Sequence, residues 1–447
     1  MPSLPRQLPA WPSAKRIAPA CLILFAACAG GSDGFASGQT STPLPTSTPS
    51  PSTAPTRAQS CTGKTPSASQ PGPPPQNAAL TVANGLTIQT IAHVSSAREL
   101  AALPNGDLIV GTLGSSIYIV PNAEGSGAAG APQVFATVND SPANGVTFVP
   151  ALCTIYVGTQ HAILRIPYAD GQLTAASVDK IASIRQGPIA PNSDGDEHST
   201  TSVAFANGML YASVGSSCNA CTEVDVTRAS IQVMNPDGTA IATRATRIRN
   251  AIALATNPTS GHLWVGGAGQ DNLPQLHPFE FMDDLSSHAP VTDYGWPDCE
   301  ENHIAYVAGA NCSATVAPLV AFPAYITHIG ATFYPPNQAG TFALGSAYRG
   351  ALFVSSHGSW HALNSCTVAP EVDYVPMKGD VPARAVNWKD PSVQWKPFVT
   401  GFQPACGSRI GRPTGIAVGS QGSIFIADDA NGTIYRVRPF AVVRPRD

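Results

Sequence analysis

One phrase recurs along the chain: an apolar run, a turn rich in Gly, Asn or Asp, then a short strand ending in an aromatic or aliphatic pair. It reads LAALPNGDLIVGT from Leu100, VTFVPALCTIYVGT from Val146 and VAFANGMLYASVG from Val203. It returns as LATNPTSGHLWVGG from Leu254, YRGALFVSSHG from Tyr348 and IAVGSQGSIFIADD from Ile416. Short apolar strands flanking a turn of this kind read as a β-hairpin. Repetition at irregular spacings of roughly 50 to 90 residues suits blades that carry loop insertions. The pattern therefore predicts an all-β chain whose residues 80–439 form a six-bladed β-propeller, since radial repetition covers both faces of each small sheet and limits exposed edges. A pair of β-sandwiches is the weaker alternative, because sandwiches need no such repeat. No convincing run has the 3.6-residue period of a helix. The strand Thr87–Val94 is expected to close the ring against the C-terminal strand Gly432–Arg438. Insertions at Arg185–Asp196, Leu273–Asp293 and Ser365–Trp395 read as long loops that line or cover a site.

Composition supports this picture. Of 447 residues only 12% are charged, whereas Gly (40) and Pro (42) are abundant, which favours short strands and many turns. The formal charge of −4 and the lack of a basic block exclude nucleic acid as the main partner. The N-terminus reads as an export signal over residues 1–28: Arg6, Lys15 and Arg16 precede an apolar Ile17–Ala27 segment too short to span a bilayer. Phe25-Ala26-Ala27-Cys28 has the form of a lipobox, with Cys28 as the lipidated residue. Ordinary secretion, with cleavage near Ala29 or Gly31, is the alternative. Residues 29–79, poor in large apolar side chains and rich in Ser, Thr, Pro and Gly, are expected to be a disordered tether. Residues 440–447 form a short tail. The expected location is the periplasm, with membrane contact only through the anchor at Cys28. Ala29, in place of the Asp that signals inner-membrane retention, favours the outer membrane in a Gram-negative cell.

Beyond Cys21 and Cys28, eight cysteines remain: Cys61, Cys153, Cys218, Cys221, Cys299, Cys312, Cys366 and Cys406. An even set in an oxidising compartment reads as disulfides. Cys218-Asn219-Ala220-Cys221 lacks a second ligand pair for zinc and a βαβ context for thioredoxin chemistry, so a loop disulfide is expected there. Cys299 with Cys312 and Cys366 with Cys406 are candidate further bridges, although connectivity is not readable from spacing.

Chemistry is sought where the repeat is interrupted. His198 precedes the third copy, where an imidazole near a channel mouth can take a proton from a hydroxyl. Arg249 and Asn250 precede the fourth and offer a donor fork and an amide to a carboxylate or carbonyl. Gly269-Gln270-Asp271-Asn272 follows its strand, and its oxygens suit a hard cation such as calcium. Taken singly, each has a plainer reading: a loop histidine, an arginine capping strand carbonyls, an ordinary turn.

The order of these motifs resembles the soluble quinoprotein sugar dehydrogenases, most closely their sorbosone dehydrogenase-like branch. The resemblance runs from His198 through SVAFANGMLYASVG, RNAIALATNPTSGHLWVGG and Tyr294-Gly295-Trp296-Pro297. It continues through His328-Ile329-Gly330, Phe353 to Trp360, Gly411-Arg412-Pro413 and Asp428-Asp429 to Ile434-Tyr435-Arg436. The resemblance implies a propeller that holds pyrroloquinoline quinone (PQQ) and Ca2+ at its channel mouth. It implies His198 as general base and Arg249 beside the reactive carbonyl with Asn250 as its neighbour. It also implies Arg412 at the cofactor carboxylates, His357 near a cofactor-binding position, and the carbonyls of Gly269 and Gln270 at calcium. The implied reaction oxidises an aldose or sorbosone-like sugar and passes electrons to a quinone or cytochrome, in a monomer or homodimer. The chain departs from the family at Thr201, where Gly is common, and at Ser202 and Thr414, where Arg is common. It departs again at Gln270, where Pro is common. Two alternatives remain: a non-catalytic tethered propeller binding a glycan or protein, and a calcium-dependent lactonase. The lactonase needs acidic or amide ligands converging on the channel, and no such set is apparent at the strand starts.

Overall fold

The computed structural model describes residues 60–64, 76–77, 79–195, 197–273, 277–359 and 368–440. Six sheets of four or five strands account for nearly all of its regular structure, and each is one blade. Blade 1 comprises Ala97–Ala102, Leu108–Thr112, Ser116–Val120 and Gln133–Thr137, and blade 2 spans Gly145–Ser183 in the same up-and-down order. Blade 3 spans Val203–Thr246, blade 4 Asn250–Phe322 and blade 5 His328–Thr400. Blade 6 begins with Pro413–Val418, Ile424–Asp428 and Thr433–Pro439. Its fourth strand is Leu86–His93 from the other end of the domain, paired antiparallel so that Thr87 faces Arg438. The ring therefore closes as the pattern predicted.

Five of the six recurring phrases form the first hairpin of a blade, while the copy from Tyr348 supplies only the second strand of blade 5, Leu352–Ser356, which pairs with His328–Phe333 upstream. The first strand of each blade touches the first strand of the next, and blade 6 touches blade 1. Between neighbouring blades lies an apolar seam, and there are six. One unites Ile109, Ile119 and Phe135 of blade 1 with Ile155 and Ile166 of blade 2. Another unites Phe353 and Phe398 of blade 5 with Ile424 and Tyr435 of blade 6. Period-two strands buried on both faces explain why the phrase is so apolar. Arg436 is fully buried in the seam between blades 6 and 1, where it donates to the carbonyls of Ala123 (2.6 Å) and Gly125 (2.7 Å) and to Gln89. An uncompensated guanidinium there would be costly, and these acceptors satisfy it.

Three expectations need correction. The segments 273–293 and 365–395 are not simple loops, since they contain the third strands of blades 4 and 5, Glu280–Asp284 and Glu371–Val375. The acidic run EFMDD hides its strand character. Its Asp283 is fully buried because Tyr294 Oη donates to it at 2.8 Å, His288 Nε2 lies 2.8 Å away and the Leu319 amide donates at 3.1 Å. The expected tether also has a docked piece. Cys61 is buried in a disulfide with Cys153, and Asp170 bonds Ser60 and Gly63 on either side of it. The disulfides Cys218–Cys221 and Cys299–Cys312 form as expected. Cys406 is disulfide-bonded, while Cys366 lies outside the described residues, as do the export signal and Cys28.

Candidate functional site

In an antiparallel hairpin the start of the first strand and the end of the second share one end. Six such hairpins in a ring therefore bring twelve backbone ends to one channel mouth. At that mouth lies a cavity of about 540 Å3. Residues at first-strand starts line it: Arg98, His198, Arg249, Asn250, Thr327 and Arg412. Residues at second-strand ends join them: Gly269, Asp271, His357 and Asp429. Six of the seven residues singled out from the sequence thus meet in one space. Gln270 does not: its side chain turns away to donate to Pro297 O (2.9 Å) and to Glu300, while its neighbours Gly269 and Asp271 line the cavity.

His198 is half-buried and tied to Ser216, whose backbone oxygen accepts its amide. Its Nδ1 lies 2.9 Å from the Ser216 hydroxyl, and that hydroxyl lies 2.7 Å from Cys218 O. A carbonyl only accepts, so the single Ser216 proton goes to Cys218 O and His198 Nδ1 must be the donor. Neutral His198 is then the Nδ1–H tautomer, with its lone pair on Nε2. Gly215 makes room for this arrangement, because a Cβ there would overlap His198 Cβ and come within 3.0 Å of Asn250 Oδ1.

Arg249 is buried and held as a fork. Its Nε donates to Asn219 O (3.0 Å), and its Nη2 donates to Asn219 Oδ1 (3.0 Å) and Asp271 Oδ2 (2.9 Å). Arg412 is likewise buried, donating from Nε to His357 O (2.9 Å) and from Nη2 to Gly358 O (3.0 Å). His357 Nε2 lies 2.7 Å from Asp429, which also pairs with Arg98. Burial pulls His357 down to about 3, so it is neutral and donates to the carboxylate.

Several of these residues had no signal in the sequence. Arg98 lies inside the first strand of blade 1, just before the recurring phrase begins at Leu100, where nothing in the pattern marks it. Glu280 reaches the cavity from the third strand of blade 4, and burial and the Asp271 charge push it up to about 8. Although no set of acids was apparent at the strand starts, Glu197, Asp271, Glu280 and Asp429 all line the cavity. Loops and outer strands deliver most of them, which strand-start positions alone do not reveal. Among the described residues, however, no three of them bring ligand atoms together as a metal cluster; the one such group is Cys218, Cys221 and Glu223, and its cysteines are disulfide-bonded. The departures are structural. Thr414 bonds Ala97 O at 3.2 Å, and Ser202 donates to Glu99 deeper in the channel.

Residues 299–439 match a family model described as TrAA12-like. An uncharacterized protein of Borreliella burgdorferi is 24% identical over 194 residues, covering 42% of this chain. The chain spans about half of that relative, 47% of its length. Among solved structures, the PQQ domain of pyranose dehydrogenase from Coprinopsis cinerea, in its holo form, superposes with a TM-score of 0.66 at 17% identity. That likeness covers 82% of this chain and 99% of the other. The calcium structure of the Trichoderma reesei carbohydrate-active enzyme of family AA12 also gives 0.66, at 16% identity over 83% and 99% of the two chains. The soluble aldose sugar dehydrogenase of Escherichia coli, in its apo form, gives 0.56 at 15% identity over 79% and 100%. At these identities the likeness establishes the shared fold.

Proposed function

We propose that this chain is a PQQ-dependent sugar dehydrogenase, oxidising an aldose or a sorbosone-like sugar and passing electrons to a quinone or cytochrome. The observation that carries the reading is the convergence of Arg98, Arg249, Arg412 and His198 on one cavity in a chain with few charges. A ligand bearing several carboxylates suits that donor set. The volume falls in the range of about 300–1,000 Å3 usual for sites of small molecules. Calcium suits the blade 4 side, where Gly269 stands with two carboxylates, Asp271 and Glu280, whose mutual repulsion a cation relieves.

When bound, PQQ supplies an ortho-quinone that accepts hydride, and calcium polarises its oxygens. The chain's own residues do the rest. His198 Nε2 takes the proton of the sugar hydroxyl while Ser216 keeps the ring in the required tautomer. Arg249 brings a fixed guanidinium to the place where negative charge develops, pre-organised by Asn219 and Asp271. Asn250 adds an amide. Arg412 and Arg98 hold carboxylates, and Arg98, next to the Ala97 that Thr414 bonds, supplies the guanidinium that position 414 lacks. His357 orients Asp429 as a neutral donor. Export, with Cys28 as lipid anchor, places the domain in the periplasm, where such an acceptor is accessible.

The test is reconstitution with PQQ and calcium, then dye reduction with a panel of aldoses and sorbosone. Sugar-dependent reduction, with quinone absorbance retained on the protein, is expected. Absence of both overturns the reading and leaves a propeller that binds a glycan or protein.

A further inference from the structure

The four-residue ring closed by Cys218 and Cys221 touches the supports of both reacting side chains. Asn219 lies inside it. Its backbone carbonyl accepts from Arg249 Nε and from Trp296 Nε1, each at 3.0 Å. Its side-chain oxygen accepts from Arg249 Nη2 at 3.0 Å and from the Asp271 amide at 2.7 Å. Its side-chain amide donates to Asp271 O at 3.0 Å. One half-buried residue thus orients Arg249 and also the carboxylate partner of Arg249. The residue before it, Cys218, supplies the carbonyl that takes the Ser216 proton and so sets the tautomer of His198.

We propose that the loop Ser216–Cys221 is a single positioning device for Arg249 and His198. Asn219 and Ser216 are its positioning residues, and the Cys218–Cys221 bond is the tie that holds them. The proposal rests on the roles given to Arg249 and His198 above. Its physical basis is conformational freedom. Asn219 is only half-buried and Ala220 beside it is exposed, so the loop borders water that can compete for its hydrogen bonds. A covalent ring removes the alternative backbone states in which those bonds are lost. A displacement of roughly 1 Å in a catalytic group can cost about 10²-fold in rate.

The experiment uses the full chain labelled with 15N-arginine, as wild type, as Asn219→Ala and as the double variant Cys218→Ser with Cys221→Ser. The Arg249 Nε–H signal is identified by its disappearance in Arg249→Lys. In the wild type this proton should be protected from exchange, and in both variants it should exchange at least about 10-fold faster while the fold is retained. Asn219→Ala keeps the disulfide, so the question stays answerable if the double variant fails to fold. Protection unchanged in the variants overturns the proposal. With PQQ and calcium added, Asn219→Ala should lower kcat about 10²-fold with little change in KM. In an Arg249→Lys background, Asn219→Ala should lower it no further, and fully additive losses overturn the proposal. Ser216→Ala should change the pH profile of kcat/KM, and an unaltered profile overturns the His198 half of it. If the wild type reduces no dye with any sugar, the functional reading fails, while proton exchange still decides whether the loop positions Arg249.

Discussion

Asp429 holds the Nε2–H of His357 at 2.7 Å while pairing with Arg98, so one carboxylate of blade 6 fixes a ring from blade 5 and a guanidinium from blade 1. Burial alone would raise its pKa, but the His357 hydrogen bond and the Arg98 charge outweigh burial and hold it at about 2. A carboxylate depressed in the fold adds stability above its unfolded pKa and loses that stability as pH falls through its folded value. Asp429 should thus contribute about 2 kcal/mol at neutral pH that disappears between about pH 4 and pH 2. Asp429→Asn leaves Arg98 with its charge buried and should cost on the order of 3 kcal/mol at neutral pH. Urea titrations of both chains at pH 7 and pH 3 check this, and equal stability at pH 7 refutes it.

His198→Gln removes the base without removing a cation from the cavity. Sugar-dependent dye reduction should fall by about 10²–10⁴-fold, while the quinone absorbance retained on the protein stays close to wild type. Turnover within twofold of wild type removes His198 from the role.

Gly215→Ala tests the geometry by steric means. The added methyl has no room beside His198 Cβ and crowds Asn250, so the strand start carrying the base must shift. A stability cost of about 1–3 kcal/mol is expected from overpacking. Activity should fall much further than that cost explains, because wild-type and variant chains are both folded at assay temperature. Thermal unfolding measured beside turnover separates the two effects, and normal turnover would show that the site tolerates the shift.

Glu99 lies in the channel, where it accepts from the Ser202 hydroxyl, and burial pushes it up to about 8 despite that bond and the nearby Arg98 charge. Here the sign is reversed. The folded chain binds the proton more tightly than the unfolded chain, so unfolding free energy falls as pH rises from about 4.5 to about 8. Glu99→Gln should remove a loss on the order of 5 kcal/mol over that range in the ligand-free chain. Identical pH slopes for the two chains in denaturant titrations contradict the assignment.

How much of this was legible follows from how local each signal is. Leu100–Thr112 carries both strands of its hairpin and the turn between them, so periodicity alone locates it. The third strand of blade 4 does not announce itself, because Asp283 is acidic and gains its partners Tyr294, His288 and Leu319 only after folding. His198, Arg249 and Arg412 interrupt a repeat and could be found as interruptions. Arg98 and Glu280 lie within strands, where nothing marks a cavity-facing position before the ring closes.

The linear pattern of the chain determined the number of blades, the first hairpin of every blade but the fifth and the strand that seals the ring. Those depend on turn chemistry and side-chain alternation within about a dozen residues. Tertiary structure alone decided which charges meet. Asp429 reaches Arg98 across 331 positions of sequence, and Ser202 reaches Glu99 across 103. It also decided that Asn219, an unremarkable residue in a four-residue disulfide loop, becomes the hinge pin of Arg249. Contacts of that range exist only once six apolar seams have closed the ring, and no local periodicity encodes them.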